Sequence, residues 1–535
     1  MRLLELIVSM SSHALAFGRF VIARVARLLL ICLCVTAWPL HAQTIELGNK
    51  SLSIGVAEKH GYITHWQPKP LNASMPQMHD FAGPARQILQ LGGVIEGAQL
   101  RDLTQRLGGW QLVGKTTDFA HLKLVNTARG YELHQSLQLD RTRPWQANYS
   151  VWLSASDSAA IDTSLWIDIG PGLGEEPTQG FGAAQSLYSF TEGVVGGGDD
   201  VARMSAPPSV TSAEYQAQPD WLGLQTRYFS FVVASTPKAG AWELTAPELP
   251  QWYRAHPEFE QIMRVELSAL AANQDPIQMQ IFGGGKSYSV LKAADPSLDE
   301  LLFSNLWRWM RALTIGLMFV LDALNALVGN WGLAILLLAV LVRLLIYPVA
   351  KRAMAAQKQF VELQKKIQPE LQAIKQQYRG GEQSEAILQL YEKHNTSPLA
   401  GLKPLLIVLL QLPIFVALYH LLGQHFELRD QPFLWMPSLA EPDQLFSFGF
   451  DVPFFGSYFN LLPAFMALTT LLTIKLSPAP ATDDKATWKQ NFILVGLTIG
   501  FFVLFYTFPS GMVLYWTTAN VLHLLHAAVT KKSSG

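Results

Sequence analysis

Cysteine is nearly missing from this chain. Of 535 residues only Cys32 and Cys34 carry a thiol, and both stand in the first strongly apolar stretch. No cysteine pair can staple anything downstream, and no thiolate metal centre exists there. Charge is scarce as well: 15% of residues are charged and 50% hydrophobic, too apolar for one soluble protein and too polar for a chain lying wholly in lipid. A composite is expected, divided near residue 300. No cofactor is expected; the sequence is read as having no phosphate loop of the GxxxxGK[ST] kind, and so no hydrolysis of ATP or GTP.

The overall charge of −1 hides an asymmetry. Residues 43–300 hold 18 Lys/Arg against 27 Asp/Glu, and residues 301–535 hold 18 against 13. An acidic first half and a basic second half suggest different compartments, with no direct DNA binding.

Arg19, Arg24 and Arg27 precede an apolar run from Leu28 to Trp38, which ends at Pro39-Leu40-His41-Ala42. A basic region, a short apolar core and a small residue fit a cleavable signal over residues 1–42. The alternative is an uncleaved anchor beginning near Phe20. Under either reading the following domain, residues 43–300, is exported.

That domain reads as β-structure. Residues 121–140 alternate apolar and polar in two runs around the turn Ala128-Arg129-Gly130. Further strands are expected over Tyr149–Ser154, Ser164–Ile169, Leu222–Ala234 and Ile277–Phe282, giving an antiparallel sandwich. Asp199-Asp200 and Glu175-Glu176 offer acids for a metal or acid/base site, and His60 and His65 lie close together without a matching ligand set. Solvated turns fit them better. Trp110, Trp145, Trp152 and Trp252 fit core packing better than a binding groove.

The second half is built for a bilayer. Spans are expected at about 327–347, 402–422, 459–474, 492–508 and 511–528. Residues 301–326 are interrupted by Arg308, Arg311, Asp322 and Asn325, and read as an amphipathic interfacial helix. Residues 349–398 carry eight Lys/Arg, residues 475–490 three, and the tail, residues 531–535, two; loop 424–456 has one, with five acids. The basic segments all fall on one side, the cytoplasm, leaving the first domain in the periplasm. Within 349–398, Phe360, Leu363, Ile367, Leu371, Ile374 and Tyr378 share a helix face. Pro369 should kink that helix, and Arg379-Gly380-Gly381 should break it before a second one. The product is a cytoplasmic helical hairpin with a docking role.

Arg343 is the only charge in the run from Leu327 to Tyr347. A charge at that depth costs about 2.5–3.5 kcal/mol on insertion scales, so it should face water or a partner. Snorkelling is the alternative, since Lys351 and Arg352 lie about two turns on. No acid occurs in the later apolar runs, so hydration is favoured: a polar recess open to the cytoplasm, with Gln411, Tyr515, Thr517 and Thr518 as candidate polar neighbours. His523 and His526 read as interfacial.

Five strings carry a resemblance: Val328-Gly-Asn-Trp-Gly332, Leu341-Val-Arg-Leu-Leu-Ile-Tyr-Pro348, Pro404-Leu-Leu-Ile407, Gln411-Leu-Pro-Ile-Phe-Val-Ala-Leu-Tyr419 and Phe508-Pro-Ser-Gly-Met-Val-Leu-Tyr515. With the weaker Trp221-Leu-Gly-Leu-Gln-Thr-Arg-Tyr-Phe229, they make the chain resemble the YidC family of membrane protein insertases. The resemblance implies an α+β multidomain membrane protein, with a periplasmic β-supersandwich ahead of a five-helix insertase core. By the same resemblance Arg343, Gln411, Tyr515 and Trp516 line the substrate groove. Phe360, Ile367, Pro369, Gly380 and Gly381 belong to the cytoplasmic hairpin. The implied partners are newly made membrane proteins, the SecYEG translocon, ribosome–nascent chain complexes and the lipid bilayer. Ala339 stands where relatives often have threonine, which implies a drier groove. A transporter would need paired repeats and intramembrane acids, and neither is visible. A tethered sugar-binding protein would need an aromatic and acidic cleft in the β-domain.

Overall fold

The computed structural model describes residues 44–72, 75–76, 78–81, 88–156, 161–170, 173, 191–197, 200–204, 219–235, 242–245, 262–267, 270–394, 403–453, 455–476 and 484–532. The expected signal segment, Glu175, Glu176, Asp199 and Trp252 lie outside these residues.

Alternation of apolar and polar residues builds the first half. In Phe119–Asn126, Ala120, Leu122, Leu124 and Asn126 are buried, and their neighbours are half exposed. This strand pairs antiparallel with Tyr131–Leu139, from Phe119 opposite Gln138 to Asn126 opposite Tyr131. The expected turn lies between them, with Gly130 at φ +66°. Around this hairpin grows a nine-stranded sheet running from Asp200–Met204 at one edge, through Phe229–Ser235, Ile277–Gly285 and Gln146–Ala155, to Gln111–Lys115 at the other. A five-stranded sheet contains Thr163–Ile169 and Leu89–Ile95, and a three-stranded sheet opens the domain. Helix α1 (Leu100–Arg106) and helix α2 (Tyr288–Ala294) complete the β-sandwich.

Trp66, Trp145 and Trp221 are fully buried in it. Each indole N–H donates to a partner: Gly283 O at 2.9 Å, Lys69 O at 2.9 Å and Ser297 Oγ at 3.0 Å. That is how a core tolerates tryptophan. Trp110 is buried too, so packing accounts for these side chains. Trp152 instead lies half-buried on the outer face, stacked on His134 at 4.9 Å. His65 pairs with Glu46, His60 stacks beside Tyr62, and Asp200 starts an edge strand. Among the described residues no group of three metal-ligating side chains comes together.

Two expectations need correction here. Leu222–Ala234 is not one strand: Trp221–Gln225 and Phe229–Ser235 form a hairpin. Its turn is closed by Thr226, whose N–H donates to Phe229 O (2.8 Å) and whose hydroxyl accepts from Phe229 N (3.2 Å). The second concerns the phosphate loop, because Gly109-Trp-Gln-Leu-Val-Gly-Lys-Thr116 does fit the GxxxxGK[ST] spacing. In the fold it makes no such loop. Gln111–Lys115 is an extended edge strand with Gly114 opposite His121, and another strand follows where a phosphate loop needs a helix.

The second half is helical: α3 (Arg308–Val328), α4 (Trp331–Gln377), α5 (Gly380–Lys393), α6 (Lys403–Gln424), α7 (Leu461–Leu476), α8 (Asp484–Phe505) and α9 (Ser510–Lys532). Gly329, at φ +68°, ends α3 in the left-handed conformation that glycine adopts freely. Asn330 then caps α4, its side chain accepting from Leu333 N at 3.0 Å. Helix α4 continues through both Pro348 and Pro369, so its apolar and polar parts form one 47-residue helix. The break before α5 is made by extended Tyr378 and Arg379. Gly380 and Gly381 belong to the first turn of α5 rather than to the connection. Ile367 and Leu390 are buried in this hairpin, and Lys393 pairs with Glu370 at 3.0 Å.

Candidate functional site: a cation among apolar helices

Helix α4 buries Ala334, Ile335, Leu338, Ala339 and Val342. Leu337, Leu341, Leu344 and Leu345 are turned outward. Arg343 lies where these two faces meet and is half-buried. Among the described residues it forms no salt bridge. Its electrostatic neighbour is the Tyr515 hydroxyl on α9. Tyr515 is 8% exposed, so its phenol lies within electrostatic reach of the guanidinium in a setting mostly shielded from solvent. Trp516 follows, half-buried, edge-on to Phe415 at 4.8 Å and 5.5 Å from Phe505. Arg343, Tyr515 and Trp516 thus lie on the facing helices α4 and α9.

The remaining candidates divide. Gln411 is exposed on α6 and, among the described residues, makes no hydrogen bond to Arg343. Thr517 and Thr518 are not free polar neighbours, since each hydroxyl donates to the carbonyl four residues back, on Val513 and Leu514, at 2.7 Å. That is the local outlet for a hydroxyl where water is scarce. Ala339 is almost fully buried, with no side-chain polar group to offer. His523 is half-buried, and the side chains of His526 and Phe360 lie outside the described residues.

Sequence reasoning missed a polar cluster at the other end of the helices. His425, immediately after α6, is buried; Nε2 lies 3.0 Å from Asp322 of α3 and Nδ1 lies 3.1 Å from Glu427. Trp331 meets its ring edge-on at 5.3 Å. A histidine closing an apolar run, with one acid two residues on, was the only available signal. Burial alone would push this imidazole down. Glu427 and Asp322 outweigh it and hold the group above its ordinary 6.5. A raised value means the folded state prefers the protonated ring. The stabilisation is therefore full below 6.5 and fades as pH rises through the raised value. Thermal unfolding of the whole protein should show a midpoint that falls on raising the pH above 6.5. In His425→Gln this part of the pH dependence should disappear. An unchanged slope in the variant would refute the assignment.

Nearby, the β-domain docks on the helices. Phe426 is fully buried and meets Phe229 edge-on at 5.8 Å. The Arg227 guanidinium donates to Gly423 O, and Arg429 lies 4.9 Å over the Phe229 ring.

The chain thus joins a β-sandwich to a set of apolar helices, one of which carries a half-buried cation. The profile of the 60Kd inner membrane protein family matches residues 323–534. That stretch is similar to this family, and curated relatives that the chain matches are named membrane protein insertase YidC. The YidC of Syntrophobacter fumaroxidans is 33% identical over 250 residues, covering 46% of this chain and 42% of the relative. That of Legionella pneumophila strain Corby is 31% identical over 333 residues, covering 61% and 53%. The chain thus spans about half the length of the curated relatives it matches. A crystal structure of an active YidC insertase with its first transmembrane domain resolved covers 95% of this chain and 99% of its own, at 16% identity and a TM-score of 0.33.

Proposed function

We propose that this chain inserts newly made proteins into the inner membrane and helps them fold, by itself or with the SecYEG translocon and ribosome–nascent chain complexes. The observation that carries this reading is Arg343, a half-buried cation that has Tyr515 as neighbour and, among the described residues, no carboxylate partner. Such a group keeps water near it and attracts the polar or acidic flank of an incoming segment. Trp516 and Phe415 offer that segment apolar contacts, and release follows sideways into lipid. No step needs a nucleotide. Gln411 sits at the mouth of this groove.

The topology belongs to the proposal. Five spans lie within α4, α6, α7, α8 and α9, the β-domain is periplasmic, and hairpin 349–398 and the C-terminus are cytoplasmic. Helix α3 is long and apolar enough to cross a membrane, as is Trp331–Val349. Its contacts favour an interfacial course instead. Arg311 donates to Asp299 O at 2.7 Å, Phe319 meets Tyr288 at 5.0 Å, and Asp322 reaches His425. Three sites along the helix thus touch the β-domain or the docking junction, which a helix running across the bilayer would leave behind. Trp307 and Trp309, 76% and 54% exposed at its start, suit the headgroup zone.

The test is insertion of a short single-span protein into liposomes containing only this purified chain, read by protease protection without ATP. Protection above empty liposomes is expected. None for several unrelated clients would overturn autonomous insertion.

A further inference from the structure

Between α6 and α7 the chain forms a small hairpin, Phe446–Val452 paired with Gly456–Phe459. Its composition is unusual for a loop: Phe446, Phe448, Phe450, Phe455, Tyr458 and Phe459 fall within fourteen residues whose only charge is Asp451. The ladder is irregular between Ser447 and Val452, with Gly449 at φ +75°, yet the rings of Phe446, Phe448 and Phe450 form one aromatic row. Successive rings lie 5.6 and 6.0 Å apart, and Phe459 stacks on Phe446 at 5.0 Å. Ser447, in the regular part of the ladder, alternates with Phe446 and is exposed on the other face. The stripe is not a core, since Phe446 is 51% and Phe450 66% exposed.

The root of the hairpin is fixed. Asp443 accepts from the backbone N–H of Leu461 and Leu462 at the start of α7, at 2.7 and 2.9 Å. Asn460 accepts from Gln444 N and donates to Tyr506 O. The tip is fixed as well: Phe455 packs edge-on to Tyr506 at 4.7 Å and lies 6.4 Å from Phe502. Phe502 belongs to α8, nearly a turn inside its end at Phe505. The hairpin therefore leans along α8, whose Leu497, Ile499 and Val503 are exposed. Its stripe extends an apolar surface that the helix already presents.

A two-stranded hairpin is marginal in water, and exposed aromatic rows are contact surfaces. Unpaired strand-edge N–H and C=O groups exclude the hydrocarbon core, where they would go unsatisfied. Aromatic rings with some water nearby fit the zone between headgroups and acyl chains. We propose that hairpin 446–459 is a lipid anchor. Its phenylalanine stripe is seated in the interfacial layer of the outer leaflet and fixes the depth of the α7 and α8 ends. The inference rests on the membrane placement of α7 and α8 given above.

The test uses the full chain in phospholipid nanodiscs, with Cys32→Ser and Cys34→Ser removing the native thiols. A nitroxide is placed singly through Phe450→Cys, Ser447→Cys or Leu497→Cys. Collision with oxygen, which enters lipid, is compared with collision with a water-soluble nickel chelate. The ratio at 450 should resemble that at 497 and exceed that at 447 several-fold. A water-like ratio at 450 with a lipid-like one at 497 overturns the anchor and leaves the helix placement standing. Water-like ratios at both overturn the placement and the anchor together. A label at 450 closed to both reagents overturns the anchor in favour of a protein partner, a second copy or a client.

Discussion

Arg343→Ala is expected to lower insertion of a client with an acidic flank by roughly 10- to 100-fold, the loss of one charge-assisted contact of about 1.5–3 kcal/mol. Arg343→Lys should fall between the variant and the wild type. Lysine keeps the positive charge but loses the planar fork that grips a carboxylate through two N–H groups. A merely structural role predicts a different pattern, because a cation in lipid is itself unfavourable. Removing it should leave the helix bundle as stable or more so, by up to about 3 kcal/mol on insertion scales. Lost insertion with an unchanged or raised unfolding midpoint is thus the expected signature. Protease protection in proteoliposomes gives the first quantity and thermal unfolding the second. Equal activity for wild type and both variants would remove Arg343 from the mechanism.

That residue was legible because one charge in a long apolar run has few explanations. The strands were legible for a similar reason, since Phe119–Asn126 and Tyr131–Leu139 alternate without a fault. Tyr515 was already a candidate polar neighbour in the residues themselves, whereas Trp516 entered only through the family resemblance. Other features need tertiary proximity. His425 with Glu427, Asp322 and Trp331 come from three places in the chain and acquire meaning only when α3, α4 and α6 converge. Thr517 and Thr518 looked available because a sequence does not show where a hydroxyl is spent, although a back-bond to the preceding turn is the default inside an apolar helix. The string Gly109–Thr116 gives the converse lesson. Its spacing fits a phosphate loop, but the string is itself an edge strand with another strand after it, which rules that reading out. Phe446, Phe448 and Phe450 were counted only as a loop, because their two-residue spacing matters once the segment is known to be a strand.

The largest stability effect is expected at the docking junction, from Phe426→Ala. The ring is fully buried, edge-on to Phe229, and lies against Gly285, where an added Cβ would fall within 2.5 Å of its Cζ. Truncating a buried phenylalanine costs about 3–5 kcal/mol when the site cannot collapse, and two rigid elements, a sheet and a helix end, make this such a site. The cost should not appear as loss of the β-domain fold, because Trp66, Trp145 and Trp221 stay buried within the sandwich itself. It should appear as undocking: faster proteolysis in the connection between α2 and α3, with a lowered unfolding midpoint for the whole chain. Gly285→Val should act in the same direction by overpacking, at about 1–3 kcal/mol. The double variant carrying Phe426→Ala and Gly285→Ala decides the cause. The new methyl enters the space the ring vacated, so the pair should be less harmful than the sum of the single changes, the mark of residues in direct contact. Additive effects, or a proteolysis rate unchanged in Phe426→Ala, would mean that the two halves are held together elsewhere, through Arg227 on Gly423 and Arg429 over Phe229.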